Sequence, residues 1–163
     1  MTKFRYISWA KYGLLASKLA RMVASSKVEP ELVIGIARGG IPLAMVLADQ
    51  LGLKLDIINV KSYSGIAERG RVVILSTLTE DIKSKNLLLV DDLIDGGDTI
   101  ETVMGFLSKG EPKSVRTAVM FTKPWSRPRP DFSLDVVEEW VVFPWERGEV
   151  ARLTKRPRGT ESD

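Results

Sequence analysis

Residues 86–90 read NLLLV, and residues 91–99 continue DDLIDGGDT. The first run is nearly all apolar, the pattern of a central strand in a parallel sheet covered on both faces. It ends in Asp91-Asp92. After Gly96-Gly97, the spacing of Ile100, Val103, Met104 and Leu107 predicts a helix that Gly110 and Pro112 stop. A buried strand, an acidic pair, a glycine loop and a helix in that order confine the chain to an α/β class.

The same unit occurs earlier. Residues 32–37 (LVIGIA) have strand length, Arg38-Gly39-Gly40 follows, and residues 41–51 form a helix with Pro42 in its first turn. Ahead of it, residues 8–26 put Trp9, Tyr12, Leu15, Leu19, Met22 and Val23 on one helical face, with Ser8 as N-cap. Residues 54–60, 72–78 and 114–121 read as further strands, and the polar stretch 61–71 (KSYSGIAERGR) as a mobile loop. Pro124, Pro128, Pro130 and Pro144 break regular structure after residue 122, with a short edge strand over 136–143. Residues past 151 read as frayed. The expected fold is α/β, a mainly parallel central sheet flanked by helices. At 163 residues and 44% hydrophobic content the chain can bury one core but not divide comfortably into two. The expected organisation is one domain over 1–150, with a small C-terminal hood mainly over 122–150, and a basic, flexible tail over 151–163.

Composition narrows the chemistry. With neither cysteine nor histidine, disulfides, thiolate nucleophiles, imidazole bases and most zinc sites are excluded, so catalysis must rest on Asp, Glu, Lys, Arg, Tyr or backbone dipoles. The formal net charge is +3, and the tail, with four basic residues against two acidic ones, carries +2 of it. A body near +1 argues against a dedicated nucleic-acid-binding domain, whose footprint is a basic face. No run of about 18 apolar residues is present to span a bilayer, and MTKFRYISWAKYG lacks a signal peptide's apolar stretch. The expectation is a cytoplasmic chain with no membrane partner.

In open α/β sheets ligands bind beyond the carboxyl ends of the strands. Two strand ends here carry glycine loops that run into helices. Glycine lets backbone approach a ligand closely, and the first amides of a helix favour an anion. Each loop alone is also a plain tight turn. The acidic pair decides the matter, because adjacent carboxylates repel unless a cation or hydroxyl donors compensate them. Ribose hydroxyls and Mg²⁺ would do so.

The stretch VDDLIDGGDT over 90–99 is similar to the diphosphate-sugar fingerprint of type I phosphoribosyltransferases, and the resemblance covers most of the chain, nearest to the 6-oxopurine enzymes. Supporting it are Ala37-Arg38-Gly39-Gly40, Lys61-Ser62-Tyr63, Phe121-Thr122-Lys123-Pro124, Trp140 and Pro144-Trp145-Glu146. The resemblance implies that Asp91 and Asp92 hold the ribose hydroxyls of phosphoribosyl diphosphate (PRPP), directly or through Mg²⁺. Asp95, Gly96, Gly97, Asp98 and Thr99 would take the 5′-phosphate, and Ala37, Arg38, Gly39 and Gly40 the pyrophosphate. A non-proline cis peptide at Arg38-Gly39 is common in the family. Lys61, Ser62, Tyr63 and Arg69 would belong to a closing loop. Asp95 resembles the group that handles the N7 proton of the base; it can equally cap the helix that follows. Lys123 resembles the lysine on the 6-oxo group. Trp140 resembles the aromatic that stacks on the base, with Val141 reading the 2-position edge, though an edge-strand aromatic buried in the core has the same pattern.

The chain departs from the family at Gly96, where a threonine is usual, at Asp98, an acid beside an anion site, and at Val142, where the bacterial relative has an acid. The implied activity is purine-salvage transfer of phosphoribosyl from PRPP to N9 of xanthine, guanine or hypoxanthine, giving a nucleotide monophosphate and pyrophosphate. A homo-oligomer is implied as well. A second reading is a regulator with the same fold that senses PRPP or nucleotide and binds nucleic acid through RLTKRPR. A dinucleotide-binding Rossmann reading is poorer, because Gly35 to Gly40 lacks the G-x-G-x-x-G spacing and only Asp56 is placed for a ribose acid.

Overall fold

The apolar run beginning at Asn86 becomes a strand inside a six-stranded sheet. The computed structural model describes residues 3–63 and 71–155. In chain order the elements are β1 (Phe4–Tyr6), α1 (Trp9–Ala24), β2 (Leu32–Ala37), α2 (Gly40–Leu51), β3 (Lys54–Tyr63) and β4 (Arg71–Ile74). There follow β5 (Asn86–Ile94), α3 (Asp98–Ser108), β6 (Ser114–Thr122), β7 (Phe132–Val136), β8 (Trp140–Val142) and α4 (Arg147–Lys155). The sheet order is β4-β3-β2-β5-β6-β7, parallel except for β4.

Alternation along the central strands builds two cores. Leu88, Val90, Ala118 and Met120 face α1 and α2, meeting Leu19, Val23, Leu43 and Leu47. Leu87, Leu89 and Val119 face α3, meeting Ile100, Val103 and Leu107. All of these are essentially inaccessible to solvent, and each Val, Leu, Ile and Met among them contributes roughly 1.5–3 kcal/mol of transfer free energy. Helices on both faces are why β5 needs no polar alternation. Ser8 caps α1 by accepting from the Lys11 amide at 3.1 Å.

The sheet also fixes where a ligand can go. β2 pairs with β5 only from Leu32–Leu87 to Gly35–Val90. Beyond that, β2 leads through α2 to β3 on one side, while β5 leads through α3 to β6 on the other. The connections diverge, and a crevice opens at the carboxyl ends of the two strands.

Several boundaries differ from the sequence reading, each because of pairing between distant residues. Asp91 and Asp92 lie inside β5, since the ladder to β6 continues through Asp91–Val119, Leu93–Phe121 and Ile94–Thr122. Lys61, Ser62 and Tyr63 are strand rather than loop: they pair with Val73, Val72 and Arg71 of β4. β4 stops at Ile74 instead of Leu78, and the chain after it is held by Asp56, which accepts from the Thr79 and Glu80 amides at 2.7 and 2.9 Å. The single edge strand expected over 136–143 is two strands: β7 extends the main sheet, and β8 pairs with β1 in a separate two-stranded sheet. Trp140 in β8 is 61% exposed, so it is not the core aromatic that its flanking pattern allowed. α4 carries regular structure past residue 151 to Lys155, so the boundary expected there falls inside a helix. Among the described residues no helix is long and apolar enough to cross a membrane.

Candidate active site

The crevice is a cavity of about 1000 Å³. Its lining brings together Ala37, Arg38, Gly39, Ser62, Asp91 and Asp92, with Thr99 beside them. The loop after β2 lies directly on β5. A Cβ at Gly39 would collide with the Asp92 carboxylate, and one at Gly40 would stand 2.5 Å from the Val90 carbonyl oxygen. The non-proline cis peptide is Ala37–Arg38, at the last residue of β2 and one bond earlier than the Arg38–Gly39 bond expected.

Neither helix that starts at the crevice has a side-chain cap. α2 starts after Gly39 and α3 after Gly97, whose φ of 115° is in the left-handed region. The first amides of α3 therefore keep orphan donors that an anion can take, whereas in α2 Pro42 has no N–H and the Ile41 amide already donates to the Arg38 carbonyl at 3.2 Å, which leaves the Gly40 amide. It follows that Asp95 does not cap α3, contrary to one of its two readings. Asp98 and Glu101 occupy the first turn of α3, where acids suit the helix dipole, and Asp98 is exposed. The Ser62 and Thr99 hydroxyls stand 3.4 Å apart, tying the end of β3 to the start of α3.

The carboxylates set the electrostatics. Asp91 Oδ1 accepts from the Asp92 amide at 2.9 Å. Burial, and then the charge of Asp92, push the Asp91 carboxyl well above the usual range. Burial, and then the charge of Glu146, push Asp92 up to about 7. The phenol of Tyr12 is pushed up by burial and then by Asp92 and Asp91, and its buried hydroxyl has no partner within the described residues. Sequence reasoning placed Tyr12 on the buried face of α1 but had no signal for its nearness to the acids. Glu146 was noted only as part of a motif.

Such a set of hard oxygen donors suits Mg²⁺. Among the described residues no group of three or more His, Cys, Asp or Glu side chains could enclose an ion.

Asp95 and Lys123 both lie against Trp125, and Lys123 also reaches the segment that precedes Trp140. Lys123 is 7% exposed, and its ammonium donates to the Glu139 carbonyl and, at 3.5 Å, to that of Glu138. These bonds join Lys123 to the segment entering Trp140, and Val141 is buried. Trp125 Nε1 donates to Asp95 Oδ1 at 2.8 Å, a contact that sequence reasoning missed. Gly96 is exposed, and its carbonyl accepts from the Arg127 amide at 3.1 Å. Val142 is fully buried. Arg69, expected in the closing loop, lies outside the described residues.

A diverging parallel sheet with an acidic pair and two uncapped helix starts at one crevice is an arrangement suited to a phosphorylated sugar. The phosphoribosyl transferase domain family matches residues 11–151, and the chain belongs to the type I phosphoribosyltransferases, as a pentosyltransferase of the purine group. It is 29% identical over 137 residues to the hypoxanthine phosphoribosyltransferase of Haemophilus influenzae, covering 82% of this chain and 74% of the relative. It is 33% identical over 118 residues to the xanthine-guanine phosphoribosyltransferase of Cereibacter sphaeroides, covering 70% and 68%. Among solved structures, the purine phosphoribosyltransferase of Pyrococcus horikoshii superposes with a TM-score of 0.79 at 34% identity, covering 88% of this chain and 94% of the other.

Proposed function

We propose that this protein transfers the 5-phosphoribosyl group of PRPP to N9 of a 6-oxopurine. The reading rests on Lys123, a buried ammonium two residues from the indole that binds Asp95. A lysine donor matches a carbonyl at the 6-position and faces an adenine amino group donor to donor.

In the reaction, the first amides of α3 and the Thr99 hydroxyl hold the 5′-phosphate, and Asp91 and Asp92 take the ribose hydroxyls. The loop from Ala37 to Gly40 receives the departing pyrophosphate through its own backbone amides. Asp91 and Asp92 would hold Mg²⁺, which supplies positive charge against the leaving pyrophosphate. Asp95 accepts the N7 proton as N9 attacks C1 of the sugar. Trp140 covers one face of the base and the Val141 backbone meets its 2-position edge. Lys61, Ser62, Tyr63 and Arg69 belong to the segment that excludes water from the sugar cation. The working form is a homo-oligomer.

The test is a PRPP- and Mg²⁺-dependent assay with adenine, hypoxanthine, guanine and xanthine in turn, following nucleotide formation. Product with the oxopurines and little with adenine is expected; product with adenine alone overturns the base assignment. Asp95→Asn is expected to depress turnover while PRPP binding persists.

A further inference from the structure

Trp125 is 58% exposed, yet its one polar atom is committed to Asp95, with Nε1 to Oδ1 at 2.8 Å. The contact is not a chance meeting of two mobile side chains, because the turn that carries Trp125 is bound to the loop that carries Asp95. The Lys123 amide donates to the Ile94 carbonyl at 3.1 Å, and the Ser126 hydroxyl donates to the same carbonyl at 2.6 Å. The Arg127 amide donates to the Gly96 carbonyl at 3.1 Å. Arg129 closes the turn from behind, donating to the Lys123 and Pro124 carbonyls at 3.2 and 2.7 Å. The backbones on either side of the Trp125–Asp95 contact are thus mutually fixed.

An exposed aspartate rotates freely unless something holds it, and a proton acceptor works only when an oxygen is aimed along the proton's path. Indole suits the holding role. It is a donor only, so it strengthens its bond to a carboxylate without being able to take the proton itself. It engages Oδ1 and leaves Oδ2 as the acceptor. The Lys123 ammonium sits 5.9 Å from the Trp125 ring centroid, so one side chain lies against both polar groups of the base site.

We propose that Trp125 is a positioning residue for the reaction: its N–H fixes the Asp95 carboxylate so that Oδ2 faces the N7 proton of the incoming purine. This rests on the reading of Asp95 as proton acceptor.

The experiment is a double-mutant cycle with W125F and D95N, using steady-state kinetics with hypoxanthine or guanine. Phenylalanine keeps an aromatic ring at an exposed site and removes the donor together with the five-membered ring that carries it. W125F is expected to lower kcat about tenfold, as for loss of a charge-assisted hydrogen bond, with the KM for PRPP and the melting temperature unchanged. In the D95N background it is expected to cause no further loss, because its effect passes through Asp95. Wild-type kcat in W125F with a slow D95N overturns the positioning role alone. So do effects that multiply in the double variant, or a fall in purine KM at constant kcat, which would mark the indole as a competitor of the base. Wild-type turnover in D95N overturns the proton-acceptor reading and this inference with it.

Discussion

A Cβ at Gly97 would collide with the carbonyl oxygen of Arg127. The contact joins the loop at the end of β5 to the turn after β6, and Gly97 also has a φ of 115°, which side chains rarely adopt. Both constraints act in the same direction. Gly97→Ala is expected to cost about 2–4 kcal/mol through strain and displacement of backbone. Thermal unfolding checks this; a melting temperature within a degree of wild type would mean that the two segments separate easily, and would remove the basis for treating them as one unit.

The parts of the molecule that were legible in the sequence are those governed by neighbours in the chain. β2 spans Leu32–Ala37, the bounds its apolar run predicts, and Ser8 caps α1 as its position suggests. β1 had no such signal: Phe4–Tyr6 is three residues long and becomes a strand only by pairing with β8 near the other end of the chain. The acidic pair was read at the end of its strand, whereas the strand runs on to Ile94, because the length of β5 depends on how far β6 accompanies it. At the site, Asp91, Asp92 and the glycine loops could be found from local pattern. Glu146 beside Asp92, Tyr12 beneath the acids and Trp125 on Asp95 could not, since each nearness arises from tertiary packing.

Asp56, the acid that a dinucleotide site would have needed, is instead a structural acceptor. Burial alone would raise its pKa, but donation from the Glu80, Ile57 and Thr79 amides and the Thr79 hydroxyl outweighs burial and holds the carboxyl below its ordinary 3.8. The folded value is depressed, so the stabilisation is present above pH 3.8 and is lost as pH falls through the folded value. Asp56→Asn is expected to cost about 1–3 kcal/mol at neutral pH, because an amide cannot accept from all these donors. Urea unfolding at pH 7 and again below pH 3 checks the sign: the gap between variant and wild type should narrow in acid, and a constant gap would contradict it.

Lys123→Met keeps much of the buried stem and removes the ammonium, which also leaves the Glu138 and Glu139 carbonyls without that donor. The KM for hypoxanthine and guanine is expected to rise about tenfold or more, as for loss of a charged hydrogen bond, while the KM for PRPP changes little. An equal loss with adenine would show that the lysine supports the hood rather than reading the 6-position.

Asp92 tests the link between the acidic pair and the ligands. Its folded pKa is raised from 3.8 to about 7, so the protonated acid's stabilising contribution is complete below 3.8 and is lost as pH rises through 7. Asp92→Asn cannot ionise, so it should match the wild type near pH 4 and show a higher melting temperature than it by pH 8 in the absence of cation. Adding Mg²⁺ with PRPP should reverse the order, because those ligands compensate the charge and bind only where it is present. Thermal melts at both pH values, with and without the ligands, separate the two effects. A variant no more stable than wild type at pH 8 would show that Asp92 is already compensated within the fold. A variant stabilised by the ligands as strongly as the wild type would place the sugar and cation elsewhere.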